Sequence, residues 1–202
     1  MKPVRALRAL APTASLATLC AAAIAHPHVW VTSTAVAQMR GTTLVAVQEK
    51  WTFSKGFPVA MIGDLSGLPR SGPVDAKYTA LFKEQAFSAL RGADYFTHVF
   101  ADGKRVSFAE ARDFSIVIER GRITYSFVVP LLAPVDVAHA GVELGVWDDT
   151  FFVDFQPGSP PVTFDVTPTG CSVQSFEDRN HPIFGGTIFP QASRCADFFC
   201  RA

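Results

Sequence analysis

The chain has 202 residues, of which 49% are hydrophobic, and this is enough apolar material for one globular domain with a substantial core. Its 18 basic and 18 acidic residues give a formal net charge of zero at pH 7. Three of the basic residues lie in the first 25 positions, which hold no acid, and this leaves 15 basic residues against 18 acidic ones. A slightly acidic chain gives no electrostatic reason to expect nucleic acid or an anionic membrane surface as a partner.

Residues 1–25 have the three parts of a secretory signal peptide. Three basic residues at 2–8 precede a mostly apolar stretch at 10–24. The small-x-small sequence "AIA" at 23–25 then supplies a cleavage site. We therefore expect cleavage before His26 and export from the cytoplasm. The alternative is an uncleaved anchor, but the apolar stretch is broken by polar residues and is shorter than the roughly 20 residues that a spanning helix needs.

The rest of the sequence predicts no membrane span, because the best candidate, 123–138, contains two prolines and an acid. We expect no direct membrane insertion after signal cleavage. The mature chain would keep three cysteines in an oxidising compartment. The simplest interpretation is one disulfide that joins Cys171 to Cys195 or to Cys200, with one thiol left over. A thiolate metal site is less well supported, because the spacing of Cys195 and Cys200 matches no common zinc pattern.

Alternating apolar residues predict antiparallel strands over most of the mature chain. Residues 28–36 and 44–53 predict a first hairpin around Arg40-Gly41. Turn signals at Asp102-Gly103 and Arg120-Gly121 predict two more hairpins. Further strands are predicted within 142–155 and at 161–166. In the second strand, the residues expected on one face are Val45, Val47, Trp51 and Phe53.

Helical spacing of apolar residues predicts one main helix within 74–93, with Gly92 near its end. About eight strands and one helix indicate a mainly β (α+β) fold, an antiparallel β-sandwich with a helical insertion near 57–93. We expect the sandwich domain to span 26–170. The remaining residues, 171–202, lack periodicity and are expected to form an irregular extension held by the disulfide.

Cleavage before His26 would create one residue that carries both a free α-amine and an imidazole, a pair of donors that suits copper and other borderline ions. His28 stands at the third position of the common amino-terminal copper and nickel motif. That motif is excluded, because it needs a backbone N–H at the second position and Pro27 has none. Side-chain ligation remains, since an extended chain places His26, His28 and Trp30 on one face.

A further ligand must come from elsewhere, and His98 is the best candidate because its segment "YFTHVF" predicts a strand among aromatic residues. Asp148 is a weaker candidate. His139 and His181 lie in predicted loops and rank lower, and Asp154 is expected on a solvent face. The alternatives are an exposed His-Pro-His terminus without a role, an ordinary partly buried His98, and phenylalanines that serve only the core.

The sequence contains none of the common catalytic motifs, such as GxSxG, HExxH, a phosphate-binding glycine loop or a CxxC pair. We therefore predict no catalytic residues. A copper-dependent oxidase or oxygenase that uses an amino-terminal histidine is the third alternative for function.

Five motifs occur in order along the mature chain. They are "AHPHVWV" at 25–31, "WTF" at 51–53, "YFTH" at 95–98, "RDFS" at 112–115 and "WDDTFFVDF" at 147–155. Together they resemble a bacterial periplasmic family that is known as a domain of unknown function and is often labelled an uncharacterised transport-system periplasmic component. The resemblance implies an association with transition-metal uptake, alongside membrane metal transporters, and implies no reaction.

The chain departs from many members of that family after "WTF". Those members continue with Asp and an Asp/Gly-rich stretch that resembles a calcium loop, whereas here Ser54 follows and the segment "GDLSGLPRSG" holds only Asp64. A calcium loop needs several oxygen ligands at alternating positions. Calcium binding is therefore not expected.

The leading hypothesis is a periplasmic accessory protein that captures a divalent transition ion, zinc, nickel, cobalt or copper, and delivers it to a membrane transporter. His26 with its free amine, His28 and His98 are the predicted ligands. The alternative is a non-metal interaction module that docks onto a component of the transport system.

Overall fold

The computed structural model describes residues 27–54 and 66–195, so the predicted signal peptide, His26 and Cys200 lie outside the described residues. Eleven strands in this part of the chain form two sheets. The prediction of a mainly β sandwich with one helical insertion is confirmed. The strands are β1 (Val29–Arg40), β2 (Thr43–Phe53), β3 (Gly72–Pro73), β4 (Thr97–Ala101), β5 (Lys104–Arg105), β6 (Arg112–Glu119), β7 (Arg122–Asp136), β8 (Val142–Val146), β9 (Val153–Phe164), β10 (Val173–Glu177) and β11 (Gln191–Cys195).

Sheet 1 has the strand order β3-β6-β7-β2-β1-β9, and sheet 2 has the order β10-β11-β8-β4-β5. All pairings are antiparallel except that of β1 with β9, which is parallel. The three predicted hairpins form as β1-β2, β4-β5 and β6-β7. In the last two, Asp102 and Arg120 adopt positive φ before a glycine, as the tight turn requires.

The helical segment begins at Ala76, where the Asp75 side chain accepts a hydrogen bond from the backbone N–H of Tyr78 at 2.9 Å. An α-helix, α1 (Ala76–Phe82), continues as a π-helical turn (Lys83–Phe87) and a 3₁₀ segment (Ser88–Phe96). Right-handed helical backbone in this segment ends at Gly92, as the sequence predicted, because Ala93, Asp94 and Tyr95 have non-helical φ and ψ values. None of the helices in the described ranges is both long and apolar enough to cross a membrane.

Sheet 1 buries one face against two different partners. Towards one end, Phe82 and Phe87 of the helical segment pack on Tyr125 and Phe127 of β7. Towards the other end, β1 and β2 pack against β4 and β8 of sheet 2 through residues such as Val47 and Val99. A third apolar cluster lies on the outer face of sheet 2 and consists of Phe100, Trp147, Ile183 and Ala192.

The structure differs from the sequence prediction at two strands near the carboxyl end. The strand predicted at 161–166 is the second half of β9, which runs unbroken past Pro157, Pro160 and Pro161. Strands β10 and β11 lie in the segment that was predicted to be irregular, and the predicted disulfide joins Cys171 to Cys195. Main-chain pairing within sheet 2 therefore orders this segment, together with the disulfide.

Strand β2 follows the predicted alternation in its second half only. Val47, Trp51 and Phe53 are buried, whereas Val45 is half-buried, because the register with β7 shifts between Leu44 and Ala46. The same alternation buries Glu49, a charged residue type on the core face.

Candidate functional site

The turn that leads into β4 has an unusual backbone. Asp94, Tyr95 and Phe96 have φ values of 49°, 52° and 54°, and each such non-glycine residue costs about 1–2 kcal/mol. The turn sends the Tyr95 ring into the core, where its hydroxyl accepts a hydrogen bond from Ala111 N at 3.1 Å. Backbone strain of this kind clusters at functional sites, so the surroundings of the turn are candidates for one.

His98 follows this turn and points to the outer face of sheet 2, because its neighbour Val99 points into the core. Its imidazole is 2% exposed and lies flat on the indole of Trp147, with ring centroids 3.9 Å apart and 7° between the planes. The Nε2 atom of His98 lies 3.0 Å from the backbone oxygen of Trp147. Since a carbonyl oxygen only accepts, Nε2 carries the proton and Nδ1 carries a lone pair.

The Nδ1 atom of His98 is buried and has no hydrogen-bond partner in the described part of the chain. Burial lowers the pKa of His98 to about 4, and the positive charge of Arg105 acts in the same direction. The ring is therefore neutral at pH 7. A neutral imidazole with one nitrogen bonded to a backbone carbonyl and a lone pair on the other has the protonation state of a typical metal ligand.

His98 lines a surface cavity of about 410 Å³, which we call the His98 cavity. One wall is the strained turn and β4-β5, and the other is the loop between β8 and β9. Within the first wall, Arg105 Nη2 donates to Asp94 Oδ2 at 3.1 Å, and within the second wall the Trp147 indole N–H donates to Asp149 Oδ1 at 3.1 Å. The lining residues are Gly92, Ala93, Asp94, Phe96, His98, Arg105, Trp147, Asp148, Asp149 and Thr150.

Asp148, the weaker metal candidate, lies in this lining, and its carboxylate holds the β8-β9 loop together. Its Oδ1 accepts from the backbone N–H and the hydroxyl of Thr150, at 2.9 and 2.8 Å. Its Oδ2 accepts from the backbone N–H of Val153 at 3.0 Å. The geometry thus gives Asp148 a structural role that aims the loop between the two sheets.

His28 lies on the other sheet, at the start of β1. Its backbone N–H donates to Phe152 O at 2.9 Å, and its ring contacts the Phe152 ring with centroids 4.8 Å apart. Trp30 pairs with Asp154 in the parallel register, and Trp30 and Phe152 are each 47% exposed. We call His28, Trp30 and Phe152 the aromatic face of sheet 1.

The structure therefore brings His98 and Asp148 to one cavity and places His28 on the outward face of sheet 1. Within residues 27–54 and 66–195, no three or more His, Cys, Asp or Glu side chains are grouped so that they could hold a metal ion. His26 is outside the described residues, so the predicted set of His26, His28 and His98 stays a prediction.

The two lower-ranked histidines lie where the sequence placed them, whereas Asp154, which was expected on a solvent face, is half-buried. His139 and His181 are in loops, and each lies beside an aspartate three residues earlier, with Nδ1 to Oδ2 distances of 2.8 and 2.7 Å. His181 also stacks on Phe100, with ring centroids 3.9 Å apart. Asp154 is half-buried outside the core and accepts from the Gln156 amide at 2.7 Å.

Sequence reasoning missed Glu49, which lies fully buried between the two sheets. Trp51 Nε1 lies 3.2 Å from Glu49 Oε2, and Thr97 Oγ1 lies 3.2 Å from Oε1. Burial raises the pKa of Glu49 to about 8. The signal that could have found it is its place in the alternation, two residues from both Val47 and Trp51.

Comparison with known proteins identifies the family. The model of a family described as a protein of unknown function, DUF1007, matches residues 11–182. The chain belongs to this family. A protein of Spirochaeta aurantia, described as an uncharacterized 15.5 kDa protein in the trpE 3' region, is 33% identical over 134 residues, which are 65% of this chain and 93% of the relative. The range matched by the family model, 11–182, spans the strained turn, His98 and the β8-β9 loop.

Proposed function

We propose that this DUF1007 protein is a periplasmic accessory protein that binds a divalent transition ion and delivers it to a membrane transporter. His98 is the imidazole ligand, and the His98 cavity is the binding site. The observation that carries the proposal is the buried Nδ1 of His98, whose lone pair has no partner in the described part of the chain while Nε2 bonds a backbone carbonyl. Zinc, nickel, cobalt and copper all accept such a nitrogen donor.

The amino-terminal histidines have a separate place in this proposal. His26 would supply the free amine and an imidazole after signal cleavage, and His28 follows on the outward face of sheet 1. We propose that this pair makes the first contact with the ion and that His98 holds it. Two contact points on different sheets are compatible with a protein that receives and then releases its cargo.

The experiment is a titration of the mature chain with Zn²⁺, Ni²⁺, Co²⁺ and Cu²⁺ in turn, with the heat of binding measured by calorimetry. His98→Phe keeps a flat ring on Trp147 and removes the nitrogen, so we expect it to abolish tight binding. His139→Ala is the matched control, because His139 is exposed and lies outside the cavity. A His98→Phe protein that folds, as judged by its melting curve, and binds as tightly as the wild type would refute the proposal.

A second version of the chain with one extra residue before His26 tests the amine. We expect weaker first contact with the ion, and equal affinity in both versions would remove the amine from the site. Binding by His98 would be unaffected by that result.

A second candidate function, a non-metal docking module, is supported by the aromatic face of sheet 1. Large apolar side chains such as Trp30 and Phe152 are costly to leave exposed together and mark contact surfaces. This function predicts that a chelator leaves binding to the membrane component of the transport system unchanged, and that Trp30→Ser abolishes that binding. Leu132→Ser, at an exposed leucine, is the control.

A further inference from the structure

The outward face of sheet 1 has a polar cavity of its own, which we call the Arg122 cavity. Its volume of about 630 Å³ lies within the range of pockets that bind small molecules, roughly 300–1,000 Å³. Thr52 and Thr124 point to this face because their neighbours Trp51 and Tyr125 point into the core. The cavity shares no lining residue with the His98 cavity. Its polar lining residues are Thr52, Ser71, Glu119, Arg120, Arg122 and Thr124.

Two threonine hydroxyls form the floor of the Arg122 cavity. Thr52 of β2 lies opposite Thr124 of β7 in the antiparallel register, and their Oγ1 atoms are 3.1 Å apart. Only one hydroxyl proton can lie between these two oxygens, and neither hydroxyl has another partner in the part of the chain that the structure describes. Thr124 is only 6% exposed. The second proton of the pair is therefore available to an acceptor that enters the cavity.

Positive charge surrounds this floor. Arg120 and Arg122 lie on either side of the glycine in the β6-β7 turn, and both line the cavity. Neither forms an ion pair with a described residue, although the register places Glu119 directly opposite Arg122. Lys50 lies two residues before Thr52 on the same face and adds a third positive charge. Three cations beside one carboxylate attract an anion to this part of the sheet.

The donors of the cavity suit a phosphate monoester better than a carboxylate. A phosphate monoester carries a charge of about −1.5 to −2 at pH 7 and has three strong acceptor oxygens. A single guanidinium fork satisfies a planar carboxylate. Here two guanidinium groups come from the turn and a hydroxyl donor comes from the floor. Donors from separate elements match the oxygens of a tetrahedral group.

We infer that the Arg122 cavity binds a phosphate monoester, carried either by a soluble organic phosphate or by a lipid headgroup. Arg120 and Arg122 bind the phosphate oxygens, and the hydroxyl pair of Thr52 and Thr124 donates from the floor. The formal net charge of zero gives no sign of such a site, because acidic residues elsewhere in the chain balance these cations. The inference is independent of the proposed function, since His98 lies on the outer face of the other sheet.

The test measures binding of matched probes to the mature protein. Glycerol 3-phosphate and glycerate, which differ in the anionic group, are compared by calorimetry. Phosphatidylcholine vesicles with and without phosphatidic acid are compared by co-sedimentation. We expect glycerol 3-phosphate to bind about tenfold or more tighter than glycerate, because phosphate accepts an additional charged hydrogen bond.

A double variant, Arg120→Asn with Arg122→Gln, removes the two guanidinium groups. Asparagine accepts the φ of 53° at position 120, so the turn is kept. We expect this variant to lose phosphate binding and to melt at or above the temperature of the wild type. Arg40→Gln is the matched control, because Arg40 is an exposed arginine before the glycine of another hairpin turn and lies outside the cavity.

A second double variant, Thr52→Val with Thr124→Val, removes the hydroxyl donor and keeps the β-branched shape of both side chains. The affinity for glycerol 3-phosphate should fall about tenfold, as expected for one lost hydrogen bond to a charged group. Thr32→Val should leave the affinity unchanged, because Thr32 pairs with Thr52 on the same face but does not line the cavity.

The outcomes decide both the site and the source of the phosphate. Binding of glycerol 3-phosphate, of vesicles with phosphatidic acid, or of both supports the inference if the double arginine variant loses it, and the probe that binds names the source. Binding that survives in that variant, equal affinity for glycerate, or no binding of either phosphate probe would overturn the inference. Metal titrations of His98→Phe are unaffected by any of these results.

Discussion

The carboxyl group of Glu49 in sheet 1 and the hydroxyl of Thr97 in sheet 2 lie 3.2 Å apart, inside the core. Thr97 Oγ1 also lies 3.2 Å from the backbone oxygen of Tyr95, which can only accept. One hydroxyl proton cannot serve both acceptors. If Glu49 is protonated, its carboxyl O–H donates to the Thr97 hydroxyl, and that hydroxyl donates to the Tyr95 carbonyl. Each of the two short distances is then a hydrogen bond with its own proton. The geometry and the raised pKa thus agree on a neutral Glu49 at pH 7.

Glu49 should make the protein less stable as pH rises. The pKa of Glu49 is about 8 in the folded protein, against an ordinary value of 4.5, so the folded state binds more protons across this interval. The stability that protonated Glu49 provides is therefore complete below pH 4.5 and is lost as pH rises to about 8. Glu49→Gln mimics the neutral acid and should be more stable than the wild type at pH 8 in urea unfolding. The two proteins should converge near pH 4.5.

Glu49→Ala is the matched control, since it leaves the Trp51 indole N–H buried without its partner. We expect it to be less stable than the wild type by about 1–3 kcal/mol. A Glu49→Gln protein that follows the same pH dependence as the wild type would show that Glu49 is ionised in the fold.

His98 should be a neutral ring with its proton on Nε2. The pKa of His98, about 4, lies below its ordinary value of 6.5, so the folded state resists protonation, and stability should fall as pH drops from 6.5 towards 4. Nitrogen chemical shifts from NMR of the metal-free protein report both the tautomer and the midpoint. A ring that titrates near pH 6.5, or one with its proton on Nδ1, would contradict the geometry of the site.

The disulfide between Cys171 and Cys195 should contribute substantially to stability. It closes a loop with a sequence separation of 24, and restricting a loop of that size in the unfolded chain is worth about 3 kcal/mol. Cys171→Ser should lower the unfolding free energy by that amount under oxidising conditions. Cys200→Ser should leave it unchanged, and a loss in that variant instead would show that Cys200 forms the bond.

A substitution in the turn between β6 and β7 should make the protein more stable. Arg120 has a φ of 53°, and Gly121 follows with a φ of 72°. This left-handed conformation raises the free energy of the folded state more for arginine than for asparagine. Arg120→Asn should therefore stabilise the protein by about 0.5–1 kcal/mol, measured by thermal unfolding. Gly121→Ala should destabilise it, because alanine at that φ is strained. Equal melting temperatures for the wild type and Arg120→Asn would argue against this turn type.

The hairpins were predictable because each is encoded locally, by alternation on both sides of a residue pair such as Asp102-Gly103. Strand β9 was not, because its prolines are typical of loops. It lies at the edge of sheet 1, where the side facing away from β1 needs no main-chain donors, so the prolines are tolerated. Strand β10 was missed because its mostly exposed residues show no apolar alternation.

The candidate site was predictable only in part. The aromatic residues around His98 in the sequence predicted a strand at this position. The two decisive features of the His98 ring are its bond to the Trp147 carbonyl and the lack of a partner for Nδ1. Both depend on the position of the β8-β9 loop, which the sequence does not reveal. The role of Asp148 likewise comes from the loop it closes. The spacing of residues along the chain does not predict a contact such as that between His98 and Trp147, which are 49 residues apart.

The parallel pairing of β1 with β9 has a consequence for how the protein is made. Residues 29–37 of the first strand take their partners from 153–164, so β1 has a partner on one side only until most of the chain is available. Contacts between such distant parts of a chain form slowly. We therefore expect the amino-terminal strand to be completed late, and proteins truncated before β9 to expose the edge of β1 and aggregate.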